Sequence, residues 1–148
     1  MASIVSPTAA SLASRRIDWR RVALLGLVTI VAAVLANVVV YYLGHITVRY
    51  DPQFTILVDV GTTIFFTVIP ATVAVLLYAI LLRFARRPAG TFAIIAAQVF
   101  VVTTIPDFIL IPNVPGATTG QTIILVLMHA VAAAVIVGLL TRFARPMR

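Results

Sequence analysis

"LLRFARRP", residues 81–88, places three arginines and no acid between two long apolar runs. Upstream, residues 58–82 carry Asp59 as their one charge. Downstream, residues 90–111 carry Asp107 as theirs. Each run, coiled as a helix, is long enough to cross a hydrocarbon core, which takes about 20 residues. Guanidinium groups cannot stay in hydrocarbon, so the chain must surface at Arg83, Arg86 and Arg87 and turn back. Working outward, residues 22–43 and 122–140 are two more apolar runs of spanning length. The expected fold is all-α: an integral membrane four-helix bundle with antiparallel neighbours.

Composition agrees. The 148 residues are 62% hydrophobic and 10% charged, whereas a soluble domain is nearer half apolar and a quarter charged. With no cysteine, disulfides, zinc–thiolate sites and thiol nucleophiles are excluded, and the redox compartment is unreadable. Every basic residue is Arg and every acid is Asp.

A formal net charge of +7 in a soluble protein would point to nucleic acid. Here its placement explains it, and no nucleic-acid partner is expected. Arg15, Arg16, Arg20 and Arg21 precede the first span. Arg83, Arg86 and Arg87 join the second and third. Arg142, Arg145 and Arg148 follow the fourth. Only Arg49, beside Asp51, falls on the other side. Basic flanks stay cytoplasmic, so both termini are expected in the cytosol, and the protein in the bacterial cytoplasmic membrane. Residues 1–19 read as a short flexible tail and residues 20–148 as one transmembrane domain. "SRRIDWRR" faintly resembles a twin-arginine signal, but the run after it continues through "VVVYYL", too long for a signal core. The arginine clusters could also meet anionic headgroups, although their role as topology signals is sufficient.

"LLRFARRP" has an echo in "LLTRFARP", residues 139–146. Cations suit a helix C-terminus and Pro stops a helix, which accounts for both copies. A duplicated hairpin is the sharper alternative, but the rest of the two halves align poorly.

Polar residues inside the spans carry the functional question, since each needs a partner or water. Asn37, Asp59, Asp107 and His129 come from four spans yet share the outer half of the membrane. Residues four apart share a helix face. That spacing joins Asn37 to Tyr41 and His45, Asp59 to Thr63 and Thr67, and Thr103 to Asp107. Inward-facing, these residues form a polar cluster over an inner half that holds only Gln98 and Tyr78. His129 reads first as a neutral imidazole bonded to a neighbour. The sharper readings are a proton-handling pair with Asp107, or a ligand to haem, a pigment or a metal. Two axial histidines would need His45 to join His129. Pro106 is expected to kink or break the third span, leaving Asp107 to cap the segment beyond. Ala130, Ala134 and Gly138 form a small-residue, helix-packing strip, read as intrachain packing ahead of dimerisation. No nucleophile elbow, phosphate loop, HExxH or carboxylate-rich metal pattern is present.

The stretch "PDFILIPNVPGATTGQTIILVLMHAVAAAVIVGLL" resembles the final third of a family of small bacterial four-helix membrane proteins, domain of unknown function 6069. The family pattern is Pro-Asp or Pro-Pro ending span three, a Gly/Thr turn, then Leu-Met-His and small residues. It falls here on Pro106, Asp107, Gly116, Thr118, Leu127, Met128, His129, Ala132 and Ala133. The resemblance implies four spans and no activity. The functional expectation is a non-enzymatic structural or accessory component of a membrane complex or homo-oligomer, without a cofactor. Its partners are the lipid bilayer and a second membrane protein or further copies of itself. The alternatives are a small proton-coupled transporter or channel, and a haem- or pigment-binding subunit using His129.

Overall fold

The computed structural model describes residues 17–143. Arg15, Arg16, Arg145, Arg148 and nearly all of the expected tail therefore lie outside the described residues. Four α-helices follow in order: α1 (Trp19–Val48), α2 (Val60–Phe84), α3 (Pro88–Ile109) and α4 (Thr119–Phe143), with a 3-10 turn at Ile111–Asn113. All four are long and apolar enough to cross a membrane. Large apolar side chains cover the outside of the bundle, from Leu24 and Leu27 on α1 to Phe66 on α2 and Ile94 on α3. A surface so apolar suits the hydrocarbon of a bilayer. The protein is a multi-pass integral membrane protein.

Local signals set the helix ends. Asp18 caps α1, its Oδ1 accepting from the backbone N–H of Arg20 (3.1 Å) and Arg21 (3.2 Å). Pro88 opens α3, where its missing N–H costs nothing. Thr118 and Gln121 form a reciprocal capping box at the start of α4. Thr118 N–H donates to Gln121 Oε1 (2.8 Å), and Gln121 N–H donates to Thr118 Oγ1 (3.3 Å). α2 stops at the Phe of its Arg-Phe-Ala-Arg copy, and α4 is described as far as the Phe of the other. Arg20, Arg21, Arg83, Arg86, Arg87 and Arg142 are all exposed at this end of the bundle, the arginine end.

Pro106 does not break α3. The helix runs three residues past it, and Leu110 N–H still donates to Pro106 O (2.8 Å). The ring removes one donor, but the residues that follow complete another turn. Asp107 is therefore a helical side chain facing the bundle rather than a cap.

At the opposite end, residues 49–59 fold back over the bundle. Phe54 and Leu57 are almost fully buried there. Tyr50 O–H donates to Tyr41 O (2.8 Å), and burial pushes its phenol up to about 12, with Tyr41 adding to the shift. Gly116 meets this segment with φ +76; a Cβ there would fall 2.9 Å from both Asp51 Oδ1 and Phe54 N. The α1–α2 and α3–α4 connections thus pack into a common lid.

Beneath the lid, Tyr41, Phe54, Leu57, Ile124 and Met128 form one apolar core. A second core, of Ala33, Ala71, Tyr78, Phe92, Ile136 and Leu140, lies towards the arginine end. The helices pack in the cyclic order α2–α1–α4–α3, with α1 and α4 in the most extensive contact. Two glycines allow that approach. A Cβ on Gly44 would meet Ile124 Cγ2 at 2.9 Å and collide with the Tyr50 hydroxyl, and one on Gly120 would meet Val48 Cγ1 at 2.7 Å. The expected strip is elsewhere: Ala134 is exposed and a Cβ on Gly138 would meet nothing within 4 Å. Ala134 and Gly138 therefore seat no neighbouring helix of this chain.

Candidate functional site: an intramembrane cleft

A cavity of about 790 Å³ lies between α2 and α3, floored by α4 and, at Asn37, by α1. Pockets that take small molecules span about 300–1,000 Å³. Ile56, Leu57 and Ile111 close it beneath the lid. Leu77, Phe92 and Val137 line its other end, where Tyr78 meets Phe92 edge-on at 5.1 Å. Its side is open. Phe66, Ile69 and Val73 of α2 and Val99 of α3 line the cleft yet are themselves about half or more exposed. The gap between α2 and α3 therefore faces the bilayer.

The polar side chains gather at the lid end. Asp107, one residue beyond Pro106 on α3, is 5% exposed. His129 on α4 faces it, with Nδ1 3.2 Å from Asp107 Oδ2 and 2.9 Å from Leu125 O. Two acceptors around one ring nitrogen require a proton on Nδ1. The Nδ1–H is directed at the Leu125 carbonyl, so Oδ2 lies at ion-pair distance without a well-aligned donor. With Nδ1 so engaged, Nε2 is the nitrogen left for the cleft, which His129 lines.

On the other wall, Asn37 Nδ2 donates to Thr67 Oγ1 (3.0 Å), and Thr67 Oγ1 donates to Thr63 O (2.7 Å). This leaves Asn37 Oδ1 and Thr63 Oγ1, like Asp107 Oδ2, buried with no hydrogen-bond partner among the described residues. All three residues line the cleft. An unpaired buried polar atom costs about 1–3 kcal/mol. The residues that carry these atoms lie at the lid end of one apolar cavity.

Of the four expected cluster residues, the fold brings Asn37, Asp107 and His129 together and leaves Asp59 out. Asp59 is exposed at the N-terminus of α2, where its side chain folds over Gly61. Asp59 precedes the first turn of α2 and does not line the cleft. Its helical neighbours Thr63 and Thr67 do reach the cleft. His45 is exposed, lies outside the cleft and packs against Tyr41 and Tyr50, so His45 and His129 do not flank a common haem site. Among the described residues, no three His, Cys, Asp or Glu side chains gather as a metal site would require.

Residues 17–146 match the model of a family described as "Family of unknown function (DUF6069)". The chain belongs to this family. No curated protein and no solved structure matches it significantly. In this DUF6069 chain, five of the nine residues that carry the sequence resemblance (Asp107, Met128, His129, Ala132 and Ala133) line the cleft, and Pro106, Gly116, Thr118 and Leu127 do not. The apolar walls, Phe66, Val99 and the Ile56–Leu57 roof, had no signal in the sequence. Only the capping box at Thr118–Gln121 could have been read there, from its Thr-x-x-Gln spacing.

Proposed function

We propose that this protein is a non-enzymatic component of the bacterial cytoplasmic membrane, with both termini in the cytosol, that holds a membrane-dissolved amphiphile in its cleft. The supporting observation is an apolar cavity, open towards lipid, whose lid end is lined by Asn37, Thr63, Asp107 and His129, the first three each with a buried polar atom that makes no hydrogen bond among the described residues. A ligand that satisfies them has a compact hydrogen-bonding head and an extended apolar tail. The head would lie among Asn37, Thr63, Asp107 and His129. The tail would run along Val73, Ile95 and Ala96 towards Phe92. Lateral entry requires no water-filled path. A bound amphiphile held this way suits an accessory subunit that presents or stores a lipid-soluble molecule for a membrane partner.

Proton-coupled transport is the competing reading, and it draws on the Asp107–His129 pair. Against it stand the apolar cleft below Thr67 and the packed lid above. The deciding experiment is mass spectrometry of amphiphiles co-purified with the protein in mild detergent. The wild type should retain one amphiphile at near-stoichiometric amount, and Asp107→Ala and Thr63→Val proteins of unchanged helicity should lose it. An empty wild type that also fails to take up a dansyl-labelled undecanoic acid probe would sink the proposal. A pH-gradient collapse in vesicles abolished by Asp107→Asn would assign transport instead. A coloured preparation bleached by His129→Ala would assign a pigment or haem.

A further inference from the structure

Gln98 is the one carboxamide of α3, and the cleft does not explain its position. It lies at the midpoint of Pro88–Ile109, is exposed, and does not line the cavity. At about 1.5 Å per residue it is roughly 15 Å from either helix end, at the depth where an unpaired amide is most costly. A second observation concerns its neighbours. Ile94, Gln98, Val101, Ile105 and Phe108 are spaced alternately by four and three, the repeat of a coiled-coil seam. The four apolar members are 48% to 63% exposed. At about 100° per residue this seam lies opposite the helix face formed by Phe92, Ile95, Val99 and Thr103, which lines the cleft.

We infer that α3 pairs with α3 of a second copy of this chain along that seam, with Gln98 facing Gln98 across a two-fold axis normal to the membrane. Two copies threaded in the same direction present parallel α3 helices, so equal residues meet at equal depth. A carboxamide both donates and accepts. Each Gln98 Nε2 can therefore donate to Oε1 of the other copy, and the reciprocal pair leaves neither amide in hydrocarbon. Ile94, Val101 and Ile105 flank it along the same stripe with compact apolar side chains. Because the seam and the cleft occupy opposite faces, pairing leaves lateral entry between α2 and α3 unobstructed.

The absence of native cysteine permits a direct test. Single-cysteine variants along α3 are oxidised in native membranes, keeping Gln98 in place. Ile94→Cys, Val101→Cys and Ile105→Cys should give disulfide-linked dimers, while Ala96→Cys and Val99→Cys should not. Adding Gln98→Leu to Val101→Cys should lower the dimer yield roughly three- to tenfold, and Gln98→Asn should restore part of it. Thermal unfolding of each variant separates lost pairing from lost folding. Equal yields around the helix, no dimer at any seam position in a folded protein, or yields indifferent to Gln98→Leu would each overturn the pairing.

Discussion

Tyr50 shows how one side chain ties the lid to the bundle. Its hydroxyl reaches over the small surface of Gly44 to the carbonyl of Tyr41 on α1. Buried among Tyr41, His45 and the lid core, it holds its proton to about pH 12. The unfolded phenol ionises near 10, so the native state binds the proton more tightly. This contribution to stability is therefore complete below pH 10 and is lost as pH rises from 10 to about 12. The melting temperature of the detergent-solubilised protein should fall across that window, and Tyr50→Phe should flatten the fall while lowering the neutral-pH value. The other informative residues, Asn37, Asp107 and His129, were recognisable in the sequence because an apolar span has few polar side chains. The pairing of Asp107 with His129 was among the readings the sequence offered; the partner of Asn37 was not, because spacing along a helix says which residues share a face but not that Asn37 bonds Thr67.

At the level of elements, small residues on α1 and α4 serve opposite purposes. Gly44 and Gly120 lie where the two helices approach closely, whereas Gly138 opens on empty space. Gly44→Ala should destabilise the protein by about 1–3 kcal/mol, because its methyl would displace the hydrogen-bonded Tyr50 hydroxyl and Ile124. Gly138→Ala should be neutral or stabilising, by up to about 1 kcal/mol from helix propensity alone. Reversible unfolding in detergent measures both, and equal costs would contradict the assigned packing. The regular repeat of Ala130, Ala134 and Gly138 appeared in the sequence as the packing strip, yet the contacts fall on the isolated Gly44 and Gly120. A repeat of small residues marks a face on which approach is allowed; the neighbouring helices decide whether anything approaches. Pro106 is similar. Its chemistry removes one hydrogen bond, but the turn completed at Leu110 keeps Asp107 helical and facing His129.

For the molecule as a whole, the placement of the arginines predicts the proposed orientation, and the expected outcome is simple. A cytosol-active reporter fused after Arg148 should be active, and one inserted near Gln53 in the lid should be silent; the reverse pattern would invert the proposed topology. The number of helices and their capacity to span the membrane were legible in the sequence. Hydrocarbon excludes charge and unpaired backbone, so composition and charge placement alone determined that this chain crosses the membrane four times. Which apolar side chains line a cleft and which face lipid was decided only by the tertiary structure. In water, a buried face differs in polarity from an exposed one. In a bilayer both are hydrocarbon, so Phe92 in the core and Phe66 at the open edge look alike until the helices are packed together.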